Sequence, residues 1–183
     1  MVGQNAASIV VRKHGVKVAA LLAMAGACAI LGVSATAWGP WIVWNASRSV
    51  PIGLYRVQAK SPGRDNLALV RLAPDFAGLA RRRGYLHGTA YVLKPVAAIA
   101  GDTVCRYGLV ITVRGTFAAL ALQRDNSGRP MPARQGCHVL KPGELFLLSA
   151  PPDSFDSRYF GPVAETLVIG TAQLIWIVPN SVK

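Results

Sequence analysis

The N-terminal part of the chain is dominated by one apolar run. Residues 16–38 carry no charged side chain after Lys17. About twenty apolar residues in a helix match the thickness of a bilayer core, so we expect a transmembrane anchor here. Arg12 and Lys13 precede the run together with Lys17. By the positive-inside rule these charges keep a short tail, residues 1–15, in the cytoplasm.

The far end of this run has two further features. Trp38, Trp41 and Trp44 follow it, as aromatic residues do at a membrane interface, and we assign residues 40–44 to a juxtamembrane link. The Ala-Thr-Ala sequence at 35–37 also fits the cleavage site of a signal peptide. A retained anchor and a cleaved signal segment therefore both stay open. We favour the anchor because the run is longer than the apolar region of a usual signal peptide.

From Asn45 onward the pattern changes to that of a β domain. Short apolar runs rich in Val, Ile, Leu and Tyr are separated by Gly, Pro and Asp turns. The strands predicted from these runs are Leu54–Val57, Leu67–Leu72, Ala90–Ala98, Thr103–Arg106, Leu109–Val113, Leu145–Leu148 and Val168–Val178. One helix is expected at Pro74–Arg83, with Asp75 as a cap near its start, and residues 123–136 are expected to form a loop. The predicted fold class is mostly β, with one domain over residues 45–183.

The chain is strongly basic, with a net charge of +12 at pH 7. Most of the basic residues are scattered singly. The one run, Arg81-Arg82-Arg83, falls at the end of the predicted helix and has no aromatic stacking motif beside it. This pattern disfavours a nucleic-acid-binding protein. Outside the cytoplasm, an acidic membrane surface is the expected counter-charge.

Two of the three cysteines fall in the predicted β domain. In an oxidising compartment Cys105 and Cys137 are expected to form a disulfide, with two unpaired buried thiols as the alternative. Cys28 lies in the apolar run and is expected to be a packing residue. A metal site is disfavoured because the histidines show no ligand spacing with the cysteines; they are His14, His87 and His138.

Two segments carry the components of a serine hydrolase. Ser49 lies in a turn bounded by Pro51 and Gly53, and Lys94 is the one charged residue in the apolar stretch 91–100. A serine becomes a nucleophile only when a base removes its proton. A lysine becomes a base near neutral pH only when burial disfavours its charged form. Ser49 and Lys94 are therefore candidates for a Ser-Lys dyad.

Three blocks of sequence carry this candidate chemistry. The first reads Asn-x-Ser-x-Ser-x-Pro-x-Gly-Leu-Tyr from Asn45, the second is Lys94 with Gly101-Asp102, and the third reads Ser-x-Asp-Ser-Arg-Tyr-Phe-Gly-Pro-Val from Ser154. In this order they resemble the type I signal peptidase family. They are most similar to its conjugative transfer (TraF-like) branch, small membrane-anchored peptidases that process pilin subunits. The resemblance implies a catalytic domain of coiled antiparallel β-sheets behind one transmembrane helix.

The resemblance assigns roles to four residues of the predicted site. Ser49 matches the nucleophile and Lys94 matches the general base. Ser47 matches a hydroxyl of the oxyanion hole, and Ser154 matches the serine that orients the lysine. The alternatives are a helix or turn cap at position 49, an exposed strand lysine at position 94, a turn hydroxyl at position 47 and a loop residue at position 154.

Four further residues match structural features near the site. Asp156 and Arg158 match an ion pair, and Gly101 and Asp102 match a turn that ends the lysine strand. The sequence leaves open whether Asp156 also takes part in catalysis.

The chain departs from ordinary signal peptidases at positions that carry no catalytic atom. Val50 stands where methionine is usual, Pro95 replaces a basic residue, and Ala98 and Ala100 replace Gly and Pro. We therefore expect a dedicated enzyme rather than the general secretory one.

The expected function is that of a membrane-anchored serine endopeptidase of the bacterial inner membrane, with its catalytic domain in the periplasm. Its partners would be membrane-tethered precursors, pilin or preprotein, with small residues before the cut, and other conjugation or secretion components. No metal or organic cofactor is implied. Hydrolysis and cyclisation of the precursor both stay open. The alternatives are a general type I signal peptidase and a non-catalytic assembly protein of a conjugation or secretion apparatus.

Overall fold

The computed structural model describes residues 41–179 except His87 and Thr89. The predicted tail and the anchor at 16–38, with its alternative cleavage site and Cys28, lie outside the described residues. Within the described part of the chain, no helix is long and apolar enough to cross a membrane.

Antiparallel strands make up most of the described chain. In chain order they are β1 Ile42–Asn45, β2 Gly53–Gln58, β3 Leu67–Arg71, β4 Tyr91–Ala98, β5 Thr103–Tyr107, β6 Val110–Val113, β7 Thr116–Leu120, β8 Gly136–Val139, β9 Glu144–Leu147, β10 Val163–Ala164 and β11 Val168–Ile177. The helices are α1 Pro74–Arg82 and α2 Ser157–Phe160, and a 3-10 turn covers Glu165–Leu167. One sheet has the order β1-β2-β11-β3-β4-β9-β10 and the other has the order β7-β6-β5-β8. The mostly-β prediction is confirmed.

The middle of the large sheet, at β3 and β4, is buried on both faces. Strand side chains alternate between faces, so Ala68 and Val70 of β3 pack in one core cluster with α1, while Leu69 packs in another with Tyr55 and Leu93. The small sheet has a core of its own, whose buried members are Ala98, Val104, Ile111, Ala119, Leu140 and Phe146. The buried side chains of both sheets are therefore held in place by packing against a core.

The predicted strands and helix are found, with ends shifted by at most two residues. Most of the expected juxtamembrane link at 40–44 is part of a strand, because Ile42–Asn45 pairs with β2. Strands β7, β8 and β10 and helix α2 were missed; each is five residues or shorter, too little for a periodic pattern. The loop prediction at 123–136 holds only in part, since Arg124 pairs with Pro130 and Gly136 begins β8.

The helix cap at Asp75 was also wrong. The residue before the helix is Ala73, and no side chain there caps the helix. Asp75 lies in the first turn instead, where its charge interacts favourably with the positive end of the helix dipole.

The predicted disulfide between Cys105 and Cys137 is present. The two cysteines lie directly opposite each other in β5 and β8, so the bond joins neighbouring strands of the small sheet.

Strand β11 passes very close to the start of β2. A Cβ atom at Gly53 would lie 2.1 Å from the carbonyl oxygen of Trp176, so a larger residue would force the strands apart. Beside this contact Trp44 of β1 stacks on Trp176, with ring centroids 6.0 Å apart. The turn between β1 and β2 therefore starts and ends at fixed points.

Candidate active site

The predicted nucleophile Ser49 lies in the turn that joins β1 to β2. Asn45 at the end of β1 pairs with Gly53 at the start of β2, so residues 46–52 form the connection. Residues 46–48 are exposed, whereas Ser49 is half-buried. The turn therefore presents Ser49 at the boundary between solvent and the body of the domain.

The predicted base Lys94 lies in β4, between β3 and β9 inside the large sheet. Its side chain is on the same face of the strand as Val92 and Val96, which belong to the larger core cluster. Lys94 is only 5% exposed. Its Nζ lies 2.6 Å from Ser49 Oγ and 2.5 Å from Ser154 Oγ. The fold thus brings three residues that are distant in sequence into one cluster.

Burial dominates the electrostatics of the Lys94 amine. It lowers the pKa of this group from 10.5 to about 8. The Asp156 carboxylate acts to raise this pKa, the Arg158 guanidinium to lower it and Asp153 to raise it, each less strongly than burial. Because a base needs a free lone pair, a pKa of about 8 makes this lysine available as a base at mildly alkaline pH.

The donors and acceptors of this cluster define what it can do chemically. The hydroxyl oxygens of Ser49 and Ser154 are 3.1 Å apart, and the lysine amine contacts both. A charged amine donates to both hydroxyls. After losing one proton the amine can still donate to Ser154 while its lone pair accepts the proton of Ser49. The arrangement can therefore activate a serine hydroxyl.

A buried ion pair supports the segment that carries Ser154. Arg158 Nε lies 2.8 Å from Asp156 Oδ1, and both side chains are fully buried. The Asp156 carboxylate also accepts hydrogen bonds from the Ser149 and Arg158 backbone N–H groups, which makes it the N-cap of α2. The Arg158 guanidinium donates to the carbonyl oxygens of Leu120 and Ser149. The predicted pair is thus present and joins α2 to the strand segments around it.

The predicted oxyanion residue Ser47 is exposed and makes its contacts with Asn45. Its hydroxyl donates to Asn45 Oδ1 at 3.0 Å, and its backbone N–H donates to the same oxygen at 3.2 Å. A hydroxyl has a single proton. In this conformation the Ser47 proton is therefore directed at Asn45, and it must turn away to reach a ligand.

Gly101 and Asp102 form a turn after the lysine strand, as the resemblance implied. Gly101 has a φ of +87°, a backbone conformation that favours glycine. Asp102 accepts two hydrogen bonds from Arg64, at 2.9 and 2.7 Å, and one from the Ile99 N–H. These bonds, chiefly those from Arg64, hold the pKa of Asp102 below its ordinary value. The contact with Arg64 was not predicted from the sequence.

A groove of about 920 Å³ runs past Ser49 and Lys94. One side is formed by β1 and the nucleophile turn. The opposite wall is a short hairpin at 123–131 together with Tyr85, which lies just after α1. Sequence reasoning treated this hairpin as a plain loop and missed its place in the groove. The Asn-Ser-Gly sequence at 126–128 was the available signal, since such residues favour a tight turn.

Asp125 fixes this far wall of the groove. Its carboxylate accepts hydrogen bonds from the Tyr85 hydroxyl at 2.5 Å and from Arg129 Nε at 2.7 Å, as well as from two backbone N–H groups of the hairpin. Burial acts to raise the pKa of Asp125, but these hydrogen bonds outweigh it and hold the pKa well below its usual range. The wall is therefore a fixed surface with Arg83 and Arg129 at its rim.

A smaller cavity of about 340 Å³ lies beside the disulfide and includes neither Ser49 nor Lys94. His138 there contacts Glu144 at 2.7 Å. Among the described residues, no group of three or more His, Cys, Asp or Glu side chains could hold a metal ion.

Comparison with known proteins gives the chain a family. The family model described as "Signal peptidase, peptidase S26" matches residues 15–177. A crystal structure of a signal peptidase I from Enterococcus faecalis is 22% identical, covers 62% of this chain and 98% of its own, and superposes with a TM-score of 0.37.

Three relatives are more similar in sequence. A "Probable conjugal transfer protein TraF" from Sinorhizobium fredii is 35% identical over 157 residues, 79% of this chain and 82% of the relative. A "Plasmid transfer protein TraF" from Escherichia coli is 32% identical over 163 residues, 82% and 86% of the two chains. A "Conjugal transfer protein TraF" from Agrobacterium fabrum is 32% identical over 142 residues, 72% and 80% of the two chains. The family model and these relatives together show that the chain belongs to the signal peptidase family, peptidase S26.

Proposed function

We propose that this protein is a serine endopeptidase that uses Ser49 and Lys94 to cleave precursor proteins for conjugative transfer. One observation carries the proposal: a lysine amine that is 5% exposed lies 2.6 Å from a serine hydroxyl at the edge of a groove. Membership of a peptidase family supports the reaction type, and relatives named for conjugal or plasmid transfer support the pathway.

In the proposed reaction, neutral Lys94 takes the proton of Ser49 as Ser49 Oγ attacks the scissile carbonyl carbon. The Ser49 backbone N–H and the hydroxyl of Ser47 donate to the oxyanion that forms. The peptide C–N bond then breaks and Lys94 gives its proton to the leaving amine. The product of this half-reaction is an ester between the substrate and Ser49.

Water or an amine then attacks this ester, and Lys94 accepts the proton of the attacking group. Attack by water gives hydrolysis, whereas attack by the substrate's own N-terminal amine gives a cyclic peptide. In both cases the C–O bond to Ser49 breaks and the serine regains a proton from Lys94. Ser154 keeps the amine aimed at Ser49 throughout, since its hydroxyl is bound to Nζ at 2.5 Å.

We further propose that the substrate is a membrane-tethered chain, pilin or preprotein, with small residues before the cut. The protein would be held in the inner membrane by residues 16–38, with the described domain in the periplasm. The charge asymmetry around the apolar run supports this orientation. Exposed aromatic side chains support a membrane surface nearby, since Trp41, Trp44 and Trp176 are 57%, 52% and 53% exposed.

Removing either member of the dyad should abolish cleavage without unfolding the domain. Ser49→Ala removes the nucleophile and Lys94→Ala removes the base. Lys94→Arg should be equally inactive, because arginine does not act as a neutral base at accessible pH. The assay is cleavage of a fluorogenic peptide with alanine before the cut by the full chain in detergent, alongside thermal unfolding.

Ser61→Ala and Lys60→Ala change an exposed serine and an exposed lysine and serve as matched controls that should keep full activity. Cleavage by a purified, folded Lys94→Ala protein would rule out the dyad. An inactive wild-type protein would instead favour a non-catalytic assembly role.

Activity should rise with pH through the titration of Lys94. The pKa of this amine is lowered to about 8 by burial, and only its neutral form accepts the Ser49 proton. Between about pH 7 and pH 9 the neutral fraction, and with it kcat, should increase roughly tenfold. A kcat that stays flat over this range, with the chemical step shown to limit the rate, would contradict a lysine base.

The proposed orientation predicts where a reporter fused after Lys183 will work. Alkaline phosphatase, which needs the periplasm to form its disulfides, should be active in this fusion. A cytoplasmic reporter such as β-galactosidase should be inactive at the same position. The reverse result would overturn both the topology and the assignment to precursors that emerge on the periplasmic side.

A further inference from the structure

Asn45 makes more contacts with the nucleophile turn than its place in the motif indicates. Its side-chain N–H₂ donates to the carbonyl oxygens of Ser47 at 2.8 Å, Val50 at 3.0 Å and Pro51 at 3.1 Å. Its Oδ1 accepts from the backbone N–H and the hydroxyl of Ser47. The side-chain amide thus contacts the backbone on both sides of Ser49 in the sequence.

These contacts matter most for the exposed first part of the turn. Residues 46–48 are exposed and contribute no packing to the core. Beyond Ser49 the turn is anchored by, among other contacts, the buried side chain of Val50, the hydrogen bond from the Tyr55 hydroxyl to the Pro51 carbonyl at 2.7 Å and the bond from the Val178 N–H to the Ile52 carbonyl at 2.9 Å. An exposed connection of this length is mobile unless its backbone groups are bound.

Asn45 itself is firmly placed. It is the last residue of β1, its backbone pairs with Gly53, and the residue is 7% exposed. The carboxamide is therefore a fixed point against which the turn can be held. An asparagine suits this role because its amide offers two donor hydrogens and an acceptor oxygen at one position.

We infer that Asn45 is a positioning residue that holds Ser49 within reach of Lys94, an inference that rests on the proposed function. The carboxamide binds the Ser47 carbonyl on one side of Ser49 and the Val50 carbonyl on the other. It thereby fixes the backbone from which the Ser49 hydroxyl projects. Asn45 does not touch the reacting atoms; it acts through the turn.

The same side chain also holds Ser47, the proposed oxyanion donor. The Ser47 hydroxyl donates to Asn45 Oδ1 in this structure, so Asn45 keeps the Ser47 oxygen at a defined place before substrate arrives. When an oxyanion forms, the single hydroxyl proton turns from Asn45 to the stronger acceptor. Asn45 therefore positions both serines of the motif.

Two variants separate the donor half of Asn45 from its acceptor half. Asn45→Asp keeps the shape and the acceptor oxygen but replaces the N–H₂ donor by an oxygen that faces three carbonyl groups. Asn45→Ala removes both halves.

A displacement of about 1 Å at a reacting group can lower a rate by roughly 100-fold. Both variants should therefore lower kcat by about that factor, with KM within about threefold of wild type. Asn66→Ala, which removes a side-chain contact to the Gly63 N–H in an exposed turn, is the matched control and should keep wild-type kcat.

Hydrogen exchange gives a readout that does not depend on activity. In the full chain, Asn45→Asp and Asn45→Ala should speed amide exchange in residues 46–52 and leave the Lys94 strand unchanged. In Asn45→Ala, which adds no charge, the rising limb of the pH–kcat profile should stay near pH 8, because the charged groups that act on Lys94 are Asp156, Arg158 and Asp153. A shifted limb would mean that Asn45 acts on the base and would overturn the inference.

The other outcomes are equally distinct. Unchanged exchange in the turn would show that Asn45 does not hold it, and faster exchange with wild-type kcat would show that holding the turn is irrelevant to the reaction. Either result overturns the inference while the dyad stands. If the wild-type protein cleaves nothing, the proposed function fails, and the exchange data alone decide whether Asn45 fixes the turn. Asn45→Ala covers the case in which the charged variant does not fold.

Discussion

The burial of the Lys94 amine is the constraint on which the site depends. An isolated ammonium group is costly to remove from water, and a buried lysine reduces this cost by losing its proton. Nζ forms hydrogen bonds with the hydroxyls of Ser49 and Ser154. These neutral groups stabilise a buried ammonium less than a paired carboxylate would. Burial therefore lowers the pKa of Lys94, whose amine forms no direct ion pair with a carboxylate among the described residues.

The nearby carboxylate of Asp156 could have reversed this effect. Asp156 acts to raise the pKa of Lys94, whereas Arg158, whose guanidinium is bound to that same carboxylate, acts to lower it. The ion pair therefore does two things at once: it caps and anchors α2, and it limits the field that Asp156 exerts on the amine. This gives Arg158 a physical role near the proposed base without direct contact to Ser49.

The sequence predicted the meeting of Ser49, Lys94 and Ser154 because each lies in a distinctive block whose order matches a known family. It could not predict how the turn around Ser49 is held, since the contacts of Asn45 run from one side chain to several backbone carbonyls and appear only once β1 and β2 pair. The hairpin wall at 123–131 was missed for a similar reason. Its polar residues read as a solvated loop, and their partner Tyr85 lies some forty residues earlier in the chain.

The most direct test of this account is the titration of the Lys94 amine itself. Nuclear magnetic resonance of the full chain labelled at lysine Cε, with Lys94→Arg to assign the signal, reports the pKa without relying on a substrate. We expect a pKa of about 8 for Lys94, well below the ordinary 10.5. A Lys94 that titrates at its ordinary value would be charged at neutral and mildly alkaline pH, and this result would contradict the proposal that the residue is the base.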